Sequence, residues 1–193
     1  MKHASTREVF AHWNERRNGR LAPERDDIEP GAIRGALGDT FILAFDPDRG
    51  HPFRVAGTRV CALFCREVKG TAFEALWSRE ARAEIRDLVS IAAEEATGTV
   101  AAVVARARNT PINLELLLLP TYRSRWNEVR LLGVLAPMTV PAWLGATPLS
   151  GLTLGSLRHL GPFAGTSEPE TRPVPRIRLR HGFVVYEGGR SAP

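Results

Sequence analysis

Cys61 and Cys65 lie one helical turn apart if Val60 to Glu67 is helical, which sets both sulfurs on one face. A metal centre there would need further ligands, yet no histidine falls between His51 and His159 and four-ligand spacing is absent. A bridge closing so short a loop adds little, so two reduced structural thiols are expected. Asp26, Asp27 and Glu29 form a carboxylate cluster, but Pro30 places Glu29 beside a helix start, where the helix dipole favours negative charge. Asp46 and Asp48 read as turn residues. Arg20 and Arg25 flank Pro23 and could bind carboxylates or phosphates bidentately; their expected role is to anchor the N-terminal arm to Asp26, Asp27 or a helix C-terminus. The chain has no Gly-x-Ser-x-Gly elbow, no Walker loop and no His-Glu-x-x-His. No catalytic residue or metal ligand is therefore assigned, and a non-enzymatic protein is expected.

The remaining chemistry is cationic. Between residues 172 and 193, Arg172, Arg176, Arg178, Arg180 and Arg190 face a lone Glu187. Arg176, Arg178 and Arg180 share one side of an extended segment, which suits an acidic partner, a nucleotide or nucleic acid. A nucleic-acid-associated protein using this tail is the alternative function, although nucleic acid is not the expected partner. Arg172 and Arg176 have the first spacing of a cyclic-dinucleotide reader, but its Asp-x-Ser-x-x-Gly element is missing. The 193 residues carry a net charge of +5, with 44% hydrophobic and 24% charged residues, and these values are those of an ordinary globular protein. No apolar run approaches the roughly 20 residues of a membrane span. The arginines of the first 30 residues leave no room for a secretory signal, so a cytoplasmic, membrane-free protein is expected.

The elements that position these residues follow from periodicity. Ser5-Thr6-Arg7-Glu8 reads as a capping box ahead of a helix carrying Val9, Phe10 and Trp13 and stopping at Gly19. Pro30 to Leu37 reads as a second short helix. Phe41 to Phe45 is apolar on both faces, as a strand covered on two sides would be. A turn over Asp46 to Gly50 leads to a second strand with Phe53 and Val55 on one face. Thr71-Ala72-Phe73-Glu74 is another capping box, opening the main helical stretch up to Gly98. Three strands follow, at Thr99 to Arg108, Ile112 to Leu119 and Val129 to Ala136, joined by connections short enough for antiparallel neighbours. The prolines beyond residue 137 argue against further regular core.

Arg20-Leu21-Ala22-Pro23-Glu24-Arg25-Asp26-Asp27-Ile28-Glu29-Pro30, then Phe53-Arg54-Val55-Ala56-Gly57-Thr58, then Arg66-Glu67-Val68-Lys69-Gly70-Thr71 with Leu76-Trp77 together resemble a bacterial family of PAS-like domains, over roughly Trp13 to Ala136. The family pattern has a glycine where this chain has Cys65. The resemblance implies an α+β fold with a five-stranded antiparallel sheet in the order 2-1-5-4-3, helices on one face and an N-terminal helix. The chain is expected to divide into a helical cap (1–38), a PAS-like core (39–137), an irregular extension (138–164) and a flexible basic tail (165–193). The resemblance also implies a sensory or regulatory module that binds a small apolar ligand or a signalling protein. Val60 to Cys65 does not match the flavin-photosensor signature, and Thr71 to Gly98 holds no histidine for haem, so no cofactor is expected. Phe41, Leu43, Val55, Phe73, Trp77, Leu114, Leu116 and Leu132 are the expected pocket walls, and are equally core residues. Phe10 and Trp13 are expected to form the interface of a homodimer through the N-terminal helix.

Overall fold

A computed structural model describes residues 1–108, 110–123 and 128–160, and the backbone of 179–180 and 183–184. The chain divides into two units, Met1–Phe163 and Ala164–Pro193. The second unit contains two strands, β7 (Leu179–Arg180) and β8 (Phe183–Val184), paired antiparallel. The tail expected to be flexible, with its arginine chemistry, otherwise lies outside the described residues.

In the first unit, α1 (Ala4–Arg17) opens the chain. Its N-cap is His3, whose Nδ1 accepts from the Ser5 amide, and it ends at Asn18 in the left-handed region. The expected capping box at Ser5 is thus displaced. Ser5 and Thr6 instead turn their hydroxyls onto two distant carboxylates, Asp39 and Glu115. Short 3-10 turns follow at Pro30–Ile33 and Leu37–Asp39, where a second helix was expected.

β1 (Thr40–Ala44) and β2 (Phe53–Ala56) form a hairpin, followed by α2 (Thr58–Leu63). The Thr71 capping box does not start a helix. Its segment makes a 3-10 turn at Phe73–Leu76, and the long helix α3 (Arg82–Glu94) begins only afterwards. Ile85, Leu88, Val89 and Ala92 give α3 one apolar stripe at helical spacing. Then come β3 (Gly98–Ala107), β4 (Thr110–Arg123) and β5 (Glu128–Pro137). No helix among the described residues is long and apolar enough to cross a membrane.

The sheet has six antiparallel strands in the order β2-β1-β5-β4-β3-β6. The expected order of the first five is present, and β6 (Leu149–Leu160) adds a sixth beside β3, within the stretch expected to be irregular. Pro141 and Pro148 precede this strand and leave its ladder intact. Period-2 reading misses β6 for a physical reason. Its register against β3 shifts twice, so Leu149, Leu152, Leu154, Leu157 and Leu160 are not evenly spaced. A four-residue edge at β2 and a twice-bulged edge at β6 end the sheet in forms that discourage further pairing.

The alternation of each strand feeds two cores. On one face, Phe41, Leu43, Leu114, Leu116, Leu118, Leu131 and Leu135 meet α2 and α3. On the other, Leu117, Leu119, Leu132, Val134 and Ala136 meet Val9 and Trp13 of α1. Gly133 sits directly opposite Phe41 in the register, and a Cβ there would come within 2.1 Å of the Phe41 ring. The sheet is therefore helix-covered on both faces, with α1 alone among the helices on the second.

Candidate functional site

The expected pocket walls divide into three groups. Phe41, Leu43, Phe73, Trp77, Leu114 and Leu116 all join the core under α2 and α3, each buried. There the rings of Phe41, Phe53 and Phe73 touch one another at centroid distances of 5.4 to 5.6 Å, and Phe73 meets Trp77 edge-on at 5.7 Å. Aromatic side chains fill this part of the core. Leu132 is buried on the opposite face, beneath α1. Val55 is 52% exposed and lines neither of the two cavities described below. A register shift between Ile42 and Leu43 pairs Phe53 with Leu43 and Val55 with Ile42, so the two residues face opposite sides of the sheet.

Phe10 and Trp13, expected at a dimer interface, lie on the side of α1 that packs within the chain. Trp13 is 3% exposed against its own sheet, and its Nε1 donates to the Pro120 carbonyl at 2.7 Å. Phe10 is half-buried beside it, ring to ring at 6.2 Å. The apolar face of α1 is thus used within the chain. The arginines of the N-terminal arm hold it as expected: Arg20 meets Asp27 at 2.5 Å, and this hydrogen bond lowers the Asp27 pKa, while Arg25 reaches Asp26 at 3.7 Å. Both cysteines are free; burial raises the Cys61 thiol pKa, and Cys65 is exposed.

Polar groups that sequence reasoning did not single out meet at two buried points. Asp39, 2% exposed at the foot of β1, takes Nε and Nη2 of Arg59 on its two oxygens at 2.7 and 2.8 Å. It also accepts from the Ser5 hydroxyl of α1 at 2.6 Å. One carboxylate therefore joins α1 to α2. Arg59 Nη2 additionally donates to the Gly35 carbonyl, while the hydrogen bond to Asp39 raises the guanidinium pKa. Ser5, Asp39 and Arg59, with His3, Ala62, Leu63, Pro137, Val140, Leu144 and Gly145, line a cavity of about 390 Å³. Val140 stands 78% exposed at its side. Glu115 of β4 provides a second attachment, accepting from the Lys2 and His3 amides and the Thr6 hydroxyl.

The second point is His51, fully buried at φ 55, with its ring stacked on Phe45. Its Nδ1 accepts from the Asp46 amide, and burial lowers its pKa despite Glu74, 3.9 Å from Nε2. Glu74 is itself clamped by Arg86 at 2.6 Å. No local pattern announces these arrangements, because key partners are remote in sequence: 34 residues separate Ser5 from Asp39, 20 Asp39 from Arg59, 109 Thr6 from Glu115 and 12 Glu74 from Arg86.

A second cavity, of about 530 Å³, opens between Phe64, Arg66, Ala75, Leu76, Trp77 and Arg82 on one side and Pro148 to Gly151 on the other. Trp77 is the one expected pocket residue that lines either of these two cavities. Among the described residues no group of three or more histidine, cysteine or acidic side chains is placed to hold a metal. A family model described as a PAS domain matches residues 1–136. No curated protein matches the chain.

Proposed function

The chain belongs to the PAS domain family, and from that premise we propose that it is a non-enzymatic sensory or regulatory module whose responding element is α1. A small ligand or a signalling protein engages the side of the molecule where Arg59 lines the first cavity. Its binding changes how firmly α1 is held on the sheet. The observation that carries this reading is the Asp39 carboxylate, shared between Ser5 of α1 and Arg59 at the cavity. A contact that draws Arg59 away leaves Asp39 buried with one hydrogen-bond partner fewer, at a cost of about 1 to 3 kcal/mol. That cost falls on the attachment of α1, because the same carboxylate holds Ser5.

The arginines of α1 and its exit, Arg7, Arg16, Arg17 and Arg20, make the reading testable by limited proteolysis with trypsin. Asp39→Asn is expected to speed cleavage at these sites several-fold while the sheet stays protected. Uniform acceleration throughout the chain, or none at all, would contradict the coupling.

A further inference from the structure

We propose that the second cavity is a binding site for an organic phosphate monoester, with Arg66 and Arg82 taking the phosphate and Phe64, Leu76 and Leu149 receiving its apolar group. Two guanidinium-bearing residues line this cavity and no carboxylate does. By contrast, Arg16, Arg20, Arg25, Arg59, Arg86, Arg123 and Arg130 each meet an acidic partner.

The two cavity arginines make only long contacts to neutral groups. Arg66 Nη1 lies 3.3 Å from the Thr71 hydroxyl, and Arg82 Nε lies 3.4 Å from the Trp77 carbonyl. Both side chains are exposed, so their cationic ends are hydrated and available. Glu80, whose charge Arg82 favours electrostatically, does not line the cavity. Two cations facing one opening favour a dianion over a monoanion, and guanidinium matches phosphate oxygens in geometry. Ser150 adds a hydroxyl, now held at 3.4 Å by the Arg106 carbonyl, and the remaining walls are apolar.

The wall from Pro148 to Gly151 comprises the residue before β6 and the start of that strand and lies beyond residues 1–136, so the site is built jointly by the family domain and by the added strand. It shares no lining residue with the cavity beside Arg59 and stands or falls independently of the role given to α1.

The test is isothermal titration of the full chain with phenyl phosphate at low salt, with phenol and inorganic phosphate as controls. Phenyl phosphate is expected to bind saturably and more tightly than either control, with affinity falling as salt rises. Arg66→Gln and Arg82→Gln, both at exposed positions that leave the fold intact, are each expected to weaken it by about tenfold or more, as loss of a charge-assisted hydrogen bond does. Absence of saturable binding at millimolar phenyl phosphate overturns the proposal. So does binding that both variants leave unchanged, or phosphate alone binding as tightly as the ester.

Discussion

Cys65 occupies a backbone conformation at φ 51 that favours glycine, at the position where the resembled family pattern carries one. The structure keeps the turn and accepts the strain. Cys65→Gly is therefore expected to raise stability by up to about 1 kcal/mol, read from the denaturant midpoint. A lower midpoint would mean that the thiol contact to the Gly145 carbonyl, at 3.3 Å, outweighs the relieved strain. Gly57, the glycine of the Ala-Gly-Thr element, is retained for a different reason. A Cβ there would lie 2.2 Å from the Leu37 carbonyl oxygen and 2.4 Å from that of Gly38. Backbone cannot yield as a flexible side chain does, so Gly57→Ala is expected to destabilise by about 2 kcal/mol or more, with the midpoint falling accordingly. A midpoint that stays put would show that the junction before α2 is loose.

Elements with even periodicity were legible from sequence, and elements that break it were not. The alternation of Ile112, Leu114, Leu116 and Leu118 places β4 correctly against the α2 and α3 core. Two bulges hide β6, and one more turns Val55 outward. The position of α1 was legible as a helix, but its face was not, because its fixings are carboxylates remote in sequence. One of them gives α1 a pH dependence. Burial alone would raise the Glu115 pKa, but hydrogen bonds from Thr6 and the Lys2 and His3 amides outweigh it, and the net shift is downward. A carboxylate lowered on folding stabilises above its unfolded value, about 4.3, and this contribution disappears as the pH falls through the folded value. Glu115→Gln is thus expected to cost about 1 to 3 kcal/mol at pH 7, and its deficit against the unsubstituted chain to shrink towards pH 3. A deficit that stays constant with pH would remove Glu115 as the acid-sensitive attachment.

At the scale of the whole unit, a sheet covered on both faces separates two tasks. The face under α2 and α3 is filled by Phe41, Phe53, Phe73 and Trp77 and acts as scaffold. The other face holds one docked helix, fixed by Val9, Trp13 and two buried carboxylates. An element held by few attachments opens at lower free energy than the sheet it covers. In the proposed function, Asp39 ties the opening of α1 to the cavity beside Arg59. Amide hydrogen exchange resolved over Ala4–Arg17 tests it most directly, comparing the unsubstituted chain with Asp39→Asn and with Asp48→Asn in the exposed turn as control. Asp39→Asn is expected to speed exchange across α1 by about tenfold or more, with β3, β4 and β5 unchanged and Asp48→Asn silent. Equal acceleration in α1 and the sheet, or unchanged exchange in α1, would contradict this coupling.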